Sequence, residues 1–266
     1  MPNFTTAQII NAANDFLFTS PAGEQFYAPY LINKNFTQDP SVPRGLGKAS
    51  PAEIKASIDY ITEMFPSISA DDIRVKLVDG SLPEKSMNYK GIDCSGFVYI
   101  VFEKLYRELY GKEFASVLSV PKGDVLNGAY NLDDWKAAYT LSAEEAAALP
   151  EDVPVSWVCE KFHRKPINLC RVTGLVSDYS STKVEVPDIR SGDLIHTGTT
   201  NDPTPHVMIV ASVAADTINV MHATRVHLQD PGGVKYDTFR ISEGKLLQEQ
   251  ETTDRLFIGA RRLKEC

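Results

Sequence analysis

The sequence predicts a mixed helical and stranded fold, with helices first and strands last. Two observations carry this. From Cys94 to Tyr110, the apolar residues Phe97, Val98, Val101, Phe102, Leu105 and Leu109 fall mainly on one wide face, as expected of a helix buried against a sheet. The last third then breaks into short β-rich runs separated by turn residues. At 266 residues the chain has room for one large domain, or for one domain with a substantial extension.

The N-terminal part reads as helices and loops. Ile9, Ile10, Ala13, Phe16 and Leu17 are spaced as on an amphipathic helix over residues 5–18, which Ser20-Pro21-Ala22-Gly23 ends. An aromatic, Asn-rich loop follows, with Phe26, Tyr27, Tyr30, Asn33, Asn35 and Phe36, and Pro40, Pro43, Gly45 and Gly47 punctuate it. Ser50-Pro51-Ala52-Glu53 is a helix start: Ser50 is the N-cap, Pro51 takes the first position and Glu53 completes a capping box. Ile54, Ile58, Ile61 and Met64 continue it as one stripe. A further short helix is expected from Ser69 or Ala70 to Val78.

The long helix beginning at Cys94 has Asp93 as its natural N-cap and Gly111 as its terminator. Beyond it, Ser142 to Ala148 reads as a short helix stopped by Pro150, and Val153 to Val158 and Leu169 to Val176 read as strands. Further strands are expected from Leu194, over His206 to Ala211, over Thr217 to Ala223 after a turn at Ala214-Ala215-Asp216, after Gly232-Gly233, and over Leu256 to Ala260.

The bulk chemistry excludes several classes. Hydrophobic content of 43% and charged content of 23% are ordinary for a globular protein. A formal net charge of −8 argues against a nucleic-acid partner and gives no attraction to anionic lipid. No apolar run reaches the roughly 18 residues that span a bilayer. The N-terminus lacks the basic and apolar regions of a secretory signal, so the expectation as written is a cytoplasmic protein, with processing or signal-free export as alternatives. The four cysteines, Cys94, Cys159, Cys170 and Cys266, do not suggest a disulfide framework. Cys159, His163 and Cys170 offer three candidate ligands with no fourth nearby, which fits no common zinc pattern, and nothing calls for a metal or cofactor.

Three residues combine into a reactive pattern. Cys94 opens a helix, where unpaired N–H groups and the helix dipole favour a thiolate. Alone, such a cysteine reads more readily as a small buried hydrophobe than as a nucleophile. Downstream, His206 shares a strand face with Met208 and Val210, and His222 shares one with Ile218 and Val220. If the two strands pair through the turn near residue 214, both histidines fall at one end of a hairpin. One can then take the Cys94 proton while the other orients it, the nucleophile–base–orienter logic of cysteine hydrolases. His196 and His227 read as mainly structural.

Asp93-Cys94-Ser95-Gly96-Phe97-Val98, Gly192-Asp193-Leu194, His206-Val207-x-Ile209 and Met221-His222-Ala223 together resemble the NlpC/P60 cysteine peptidases of the papain-like superfamily. The resemblance covers motif islands over roughly residues 89–260. It implies an α+β papain-like fold, with the catalytic cysteine at the N-terminus of a helix packed on an antiparallel sheet. Residues 1–88 would then be a helical, loop-rich extension, and 89–266 the catalytic domain with a long insertion at about 112–190. It further implies cleavage of amide bonds in bacterial cell-wall stem peptides, with Cys94 as nucleophile, His206 as general base and His222 as the orienting third residue. The expected partner is thus a peptide or peptidoglycan-fragment substrate; the oligomeric state is left open. Asp93 and Ser95, which flank the cysteine, and Tyr89 are the candidate substrate-binding residues. The family's aromatic Gly-Gly segment upstream of the cysteine is absent: that stretch reads Asp79-Gly80-Ser81-Leu82-Pro83-Glu84-Lys85-Ser86. The competing readings are an acyltransferase or amidase of the same fold acting on another substrate, and a non-catalytic binding module.

Overall fold

The computed structural model describes residues 3–31, 47–126, 141–163, 165–199, 206–224, 232–242, 245–248 and 255–264. Asn33, Asn35, Phe36, Pro40, Pro43, Gly45, His227 and Cys266 from the sequence reading lie outside them.

The first helix, α1 (Thr6–Ala13), starts with a capping box between Thr5 and Gln8. It is shorter than its spacing predicts. A 3-10 turn over Asn14–Phe16 leads into β1 (Leu17–Thr19), which pairs antiparallel with β2 (Gln25–Tyr27). The cause is a cross-strand contact: Phe18 lies directly opposite Phe26, with ring centroids 6.0 Å apart. This packing overrides the local helical spacing. α2 (Pro51–Met64) has the predicted Ser50–Glu53 box, and α3 (Ala70–Val78) is capped by Ser69.

The central helix, α4 (Cys94–Tyr110), begins at Asp93 and stops at Gly111, whose φ of +64° suits a residue without Cβ. Val98, Val101, Phe102, Leu105 and Tyr106 on α4 are buried, each contributing roughly 1.5–3 kcal/mol of hydrophobic stabilisation. Phe4, Ile9, Phe16, Ile54, Ile58, Ile73 and Leu77 join the same buried cluster, so the N-terminal segments and α4 share one core.

The following segment corrects two strand expectations. β3 (Ser119–Pro121) leads into α5 (Lys122–Leu126), and α6 (Ala143–Ala148) precedes β4 (Asp152–Pro154), the partner of β3. Val155–Phe162 is then a helix, α7, because Val155, Val158 and Phe162 are buried at intervals of three and four. The second expected strand is replaced by two one-turn helices, α8 (Pro166–Leu169) and α9 (Val172–Leu175).

The remaining strands are β5 (Ser181–Val184), β6 (Leu194–Thr199), β7 (His206–Val213), β8 (Thr217–Thr224), β9 (Gly233–Ser242), β10 (Lys245–Gln248) and β11 (Arg255–Leu263). They form a seven-stranded antiparallel sheet in the order β10-β9-β8-β7-β6-β11-β5. The architecture is α+β. Strand alternation divides the sheet between two cores. Val207, Ile209, Ala211, Met221 and Ala223 join the cluster with α4, while Met208, Val210, Ile218, Val220 and Phe239 form a second cluster on the opposite face. Among the described residues no helix is long and apolar enough to cross a membrane.

Candidate active site

The N-terminal turn of α4 rests on a floor built from two distant segments. Ile92 N–H donates to the Pro29 carbonyl at 3.0 Å, and Asp93 N–H donates to the Gly47 carbonyl at 2.7 Å. Tyr30 and Lys48 both bridge Ile92. The approach is close enough to require glycine at position 96: a Cβ there would lie 2.8 Å from the Gly47 carbonyl oxygen and 2.9 Å from Lys48 Cδ. Asp93 Oδ1 caps the helix by accepting from Gly96 N–H at 2.6 Å.

Cys94 is buried. Burial, and then the neighbouring Asp93 carboxylate, push its thiol up to about 11, while Lys48 and the backbone N–H groups of Val207 and Ser95 act in the opposite sense by hydrogen bonding or charge. Burial and the Asp93 charge thus outweigh the groups that favour a thiolate here. The Val207 contact locates the sulfur. With standard backbone lengths, it sets Sγ within about 6 Å of the Cα of His206, the preceding residue.

The hairpin brings the two histidines together. His206 Nε2 lies 2.7 Å from His222 Nδ1. His222 Nε2 lies 2.7 Å from Asp237 Oδ2 on β9. The His222 side chain is 1% exposed and that of Asp237 31%. An ionised carboxylate only accepts, so beside an ionised Asp237 the His222 Nε2 carries a proton, and a neutral His222 then has its lone pair on Nδ1. His206 must then donate from Nε2, which leaves its own lone pair on Nδ1. The chain of contacts thus prepares His206 to accept a proton through Nδ1. Strand parity puts His206 on the Met208–Val210 face, whereas Cys94 belongs to the α4 layer. Sulfur and imidazole approach the first residues of β7 from the two sides of the sheet.

The flanking residues are engaged within the protein. Lys48 Nζ lies 2.7 Å from Asp93 Oδ1, 2.5 Å from Ser95 Oγ and 3.1 Å from the Cys170 carbonyl oxygen. Ser95 Oγ is also 3.1 Å from Asp93 Oδ1. Tyr89 adopts a φ of +58° and sets its ring against the turn at Gly80. His196 is half-buried, and its Nε2 is buried without a hydrogen-bond partner among the described residues. Burial, and then Arg261, lower its basicity. Cys170 is buried, its Sγ 3.5 Å from the Ser95 carbonyl oxygen, and burial pushes its thiol up to about 12. Among the described residues no three His, Cys, Asp or Glu side chains are grouped to hold a metal.

Sequence reasoning missed Asp237 and Lys48. Asp237 could have been found from its alternation with Phe239 on the strand following His222, which places it on the His222 face. Lys48 lies in a loop, and no periodicity marks it. No family model and no curated protein matches the chain.

Proposed function

We propose that the chain is a cysteine hydrolase that cleaves amide bonds in peptides, with bacterial cell-wall stem peptides as the substrate class and a papain-like arrangement of its site. The observation that carries the reading is the contact chain His206–His222–Asp237 at the start of β7, next to Val207, whose backbone N–H meets the Cys94 sulfur. A thiol held up by burial needs a base, and this chain supplies one with a defined tautomer.

In the reaction, His206 Nδ1 takes the Cys94 proton, and the thiolate attacks the amide carbonyl carbon. The oxyanion that forms is met by the Cys94 backbone N–H, which at the first helical position has no intrahelical acceptor. Imidazolium returns its proton to the leaving amine as the C–N bond breaks, giving a thioester. His206 then deprotonates a water that attacks the thioester, and the carboxylic acid departs as the thiol is regenerated. His222 and Asp237 hold the imidazole and stabilise its charge.

The test is incubation of wild type and Cys94→Ala with purified stem-peptide fragments, with products and any thioester adduct read by mass spectrometry. Release of fragments by wild type alone supports the reading. Equal release by both proteins removes Cys94 from the chemistry. An adduct on Cys94 that passes to an added amine faster than to water would reassign the enzyme as an acyltransferase.

A further inference from the structure

We propose that Lys48 is a positioning residue of this site, clamping the first turn of α4 and neutralising Asp93 beside the thiol. The inference rests on Cys94 being the nucleophile. The side chain of Lys48 is 6% exposed and that of Asp93 14%, so both charges are largely withdrawn from water. A buried ammonium is tolerated only when its donors are satisfied. Here it has three acceptors: the Asp93 carboxylate, the Ser95 hydroxyl and the Cys170 carbonyl. Two of these residues flank Cys94 in sequence, and the third sits just ahead of α9. The stem of Lys48 lies against the position where Gly96 lacks a Cβ, so the side chain is built into the floor rather than laid over it.

The charge arithmetic gives the clamp its chemical effect. Asp93 opposes formation of a thiolate at the next residue, and Lys48 favours it. The other titratable groups on the thiol's side of the sheet are Cys170 from the segment before α9 and His196 on β6, opposite Val207; His206, with its partners His222 and Asp237, lies on the other face of β7 to β9. Among the described residues, Lys48 is the cation ion-paired with Asp93. Removing the ammonium would leave a buried carboxylate next to the sulfur that has to become negative.

A charge cycle on the full chain tests this. Alkylation of Cys94 by iodoacetamide is followed from pH 5 to 10, with each cysteine resolved by peptide mass mapping. Lys48→Met keeps the apolar stem and should slow Cys94 alkylation at pH 7 by about tenfold, with the pH profile moving to higher pH. Asp93→Asn keeps a good helix cap and should speed it. The double variant should return to within about threefold of wild type, and Lys48→Arg should stay close to wild type. A clamp that served only stability would show no rescue in the double variant, and that result overturns the proposal. So does an unmoved profile in Lys48→Met. Where Lys48→Met does not fold, an Asp93→Asn profile identical to wild type is the overturning result. A wild-type Cys94 no more reactive than Cys159 would instead sink the cysteine-hydrolase reading on which the proposal rests, and would do so before any variant is compared.

Discussion

His222 Nε2 and Asp237 Oδ2 are 2.7 Å apart, and with Asp237 ionised and His222 neutral this contact sets the tautomer of the histidine pair. Asp237→Asn removes the obligatory acceptor, because an amide can present either a donor or an acceptor to His222. Turnover should fall by on the order of 10²–10⁴-fold with KM little changed. Steady-state kinetics on a stem-peptide substrate checks it. Full activity in Asp237→Asn would show that the tautomer chain is not used.

The raised Cys94 thiol makes a second prediction, on pH. Burial and Asp93 hold the thiol near 11, with Lys48 already acting against them. Alkylation of Cys94 in the wild type should therefore rise from neutral pH towards about pH 11. In His206→Ala this rise should keep its shape, while turnover of a peptide substrate falls by on the order of 10²–10⁴-fold. Full turnover in His206→Ala would assign the base elsewhere.

Stability should fall in alkali for a related reason. Cys94 and Cys159 sit near 11 and Cys170 near 12, all above the ordinary thiol value of 9.0, with burial the leading cause in each. Between the unfolded and folded values the native state binds more protons than the unfolded state. The contribution is therefore complete below about pH 9 and is lost as pH rises towards 11 and 12. Thermal melts across pH 8–11 should show Tm declining, and the decline should be shallower in Cys94→Ala. Equal slopes in the two proteins would contradict the assignment.

Gly96→Ala measures the closeness of the floor. Alanine would gain about 1 kcal/mol of helix propensity over glycine. Its Cβ, however, would meet the Gly47 carbonyl oxygen at 2.8 Å, a backbone atom that cannot rotate away. Overpacking of this kind costs about 1–3 kcal/mol, so the net change should be a modest destabilisation, accompanied by slower Cys94 alkylation. Chemical denaturation with a matched alkylation assay reads both. A stabilised Gly96→Ala would mean that the 47–49 segment does not press on the helix.

What was legible in the sequence follows from what is local. Asp93, Ser50 and Ser142 announce their helices because a cap acts within three residues. The meeting of His206 and His222 was legible because side chains alternate along strands and a short turn joins these two. Residues 155–162 were misread because Val155 and Val158 favour strands, while their burial against the core follows a helical interval. Leu17 was misread because its strand is fixed by β2: Leu17 pairs with Tyr27, and Phe18 packs on Phe26. Lys48 escaped for the same reason on a larger scale: its partners lie 45, 47 and 122 positions away.

The order of synthesis gives the division of the site between distant segments a further meaning. Residues 29–31 and 47–49, which pair with Gly91, Ile92 and Asp93 just ahead of Cys94, are synthesised before it. The base and its supports, His206, His222 and Asp237, arrive only with β7 to β9. Until then the sulfur has no proton acceptor from the hairpin. A chain halted before β9 would lack Asp237, and with it the carboxylate that contacts His222.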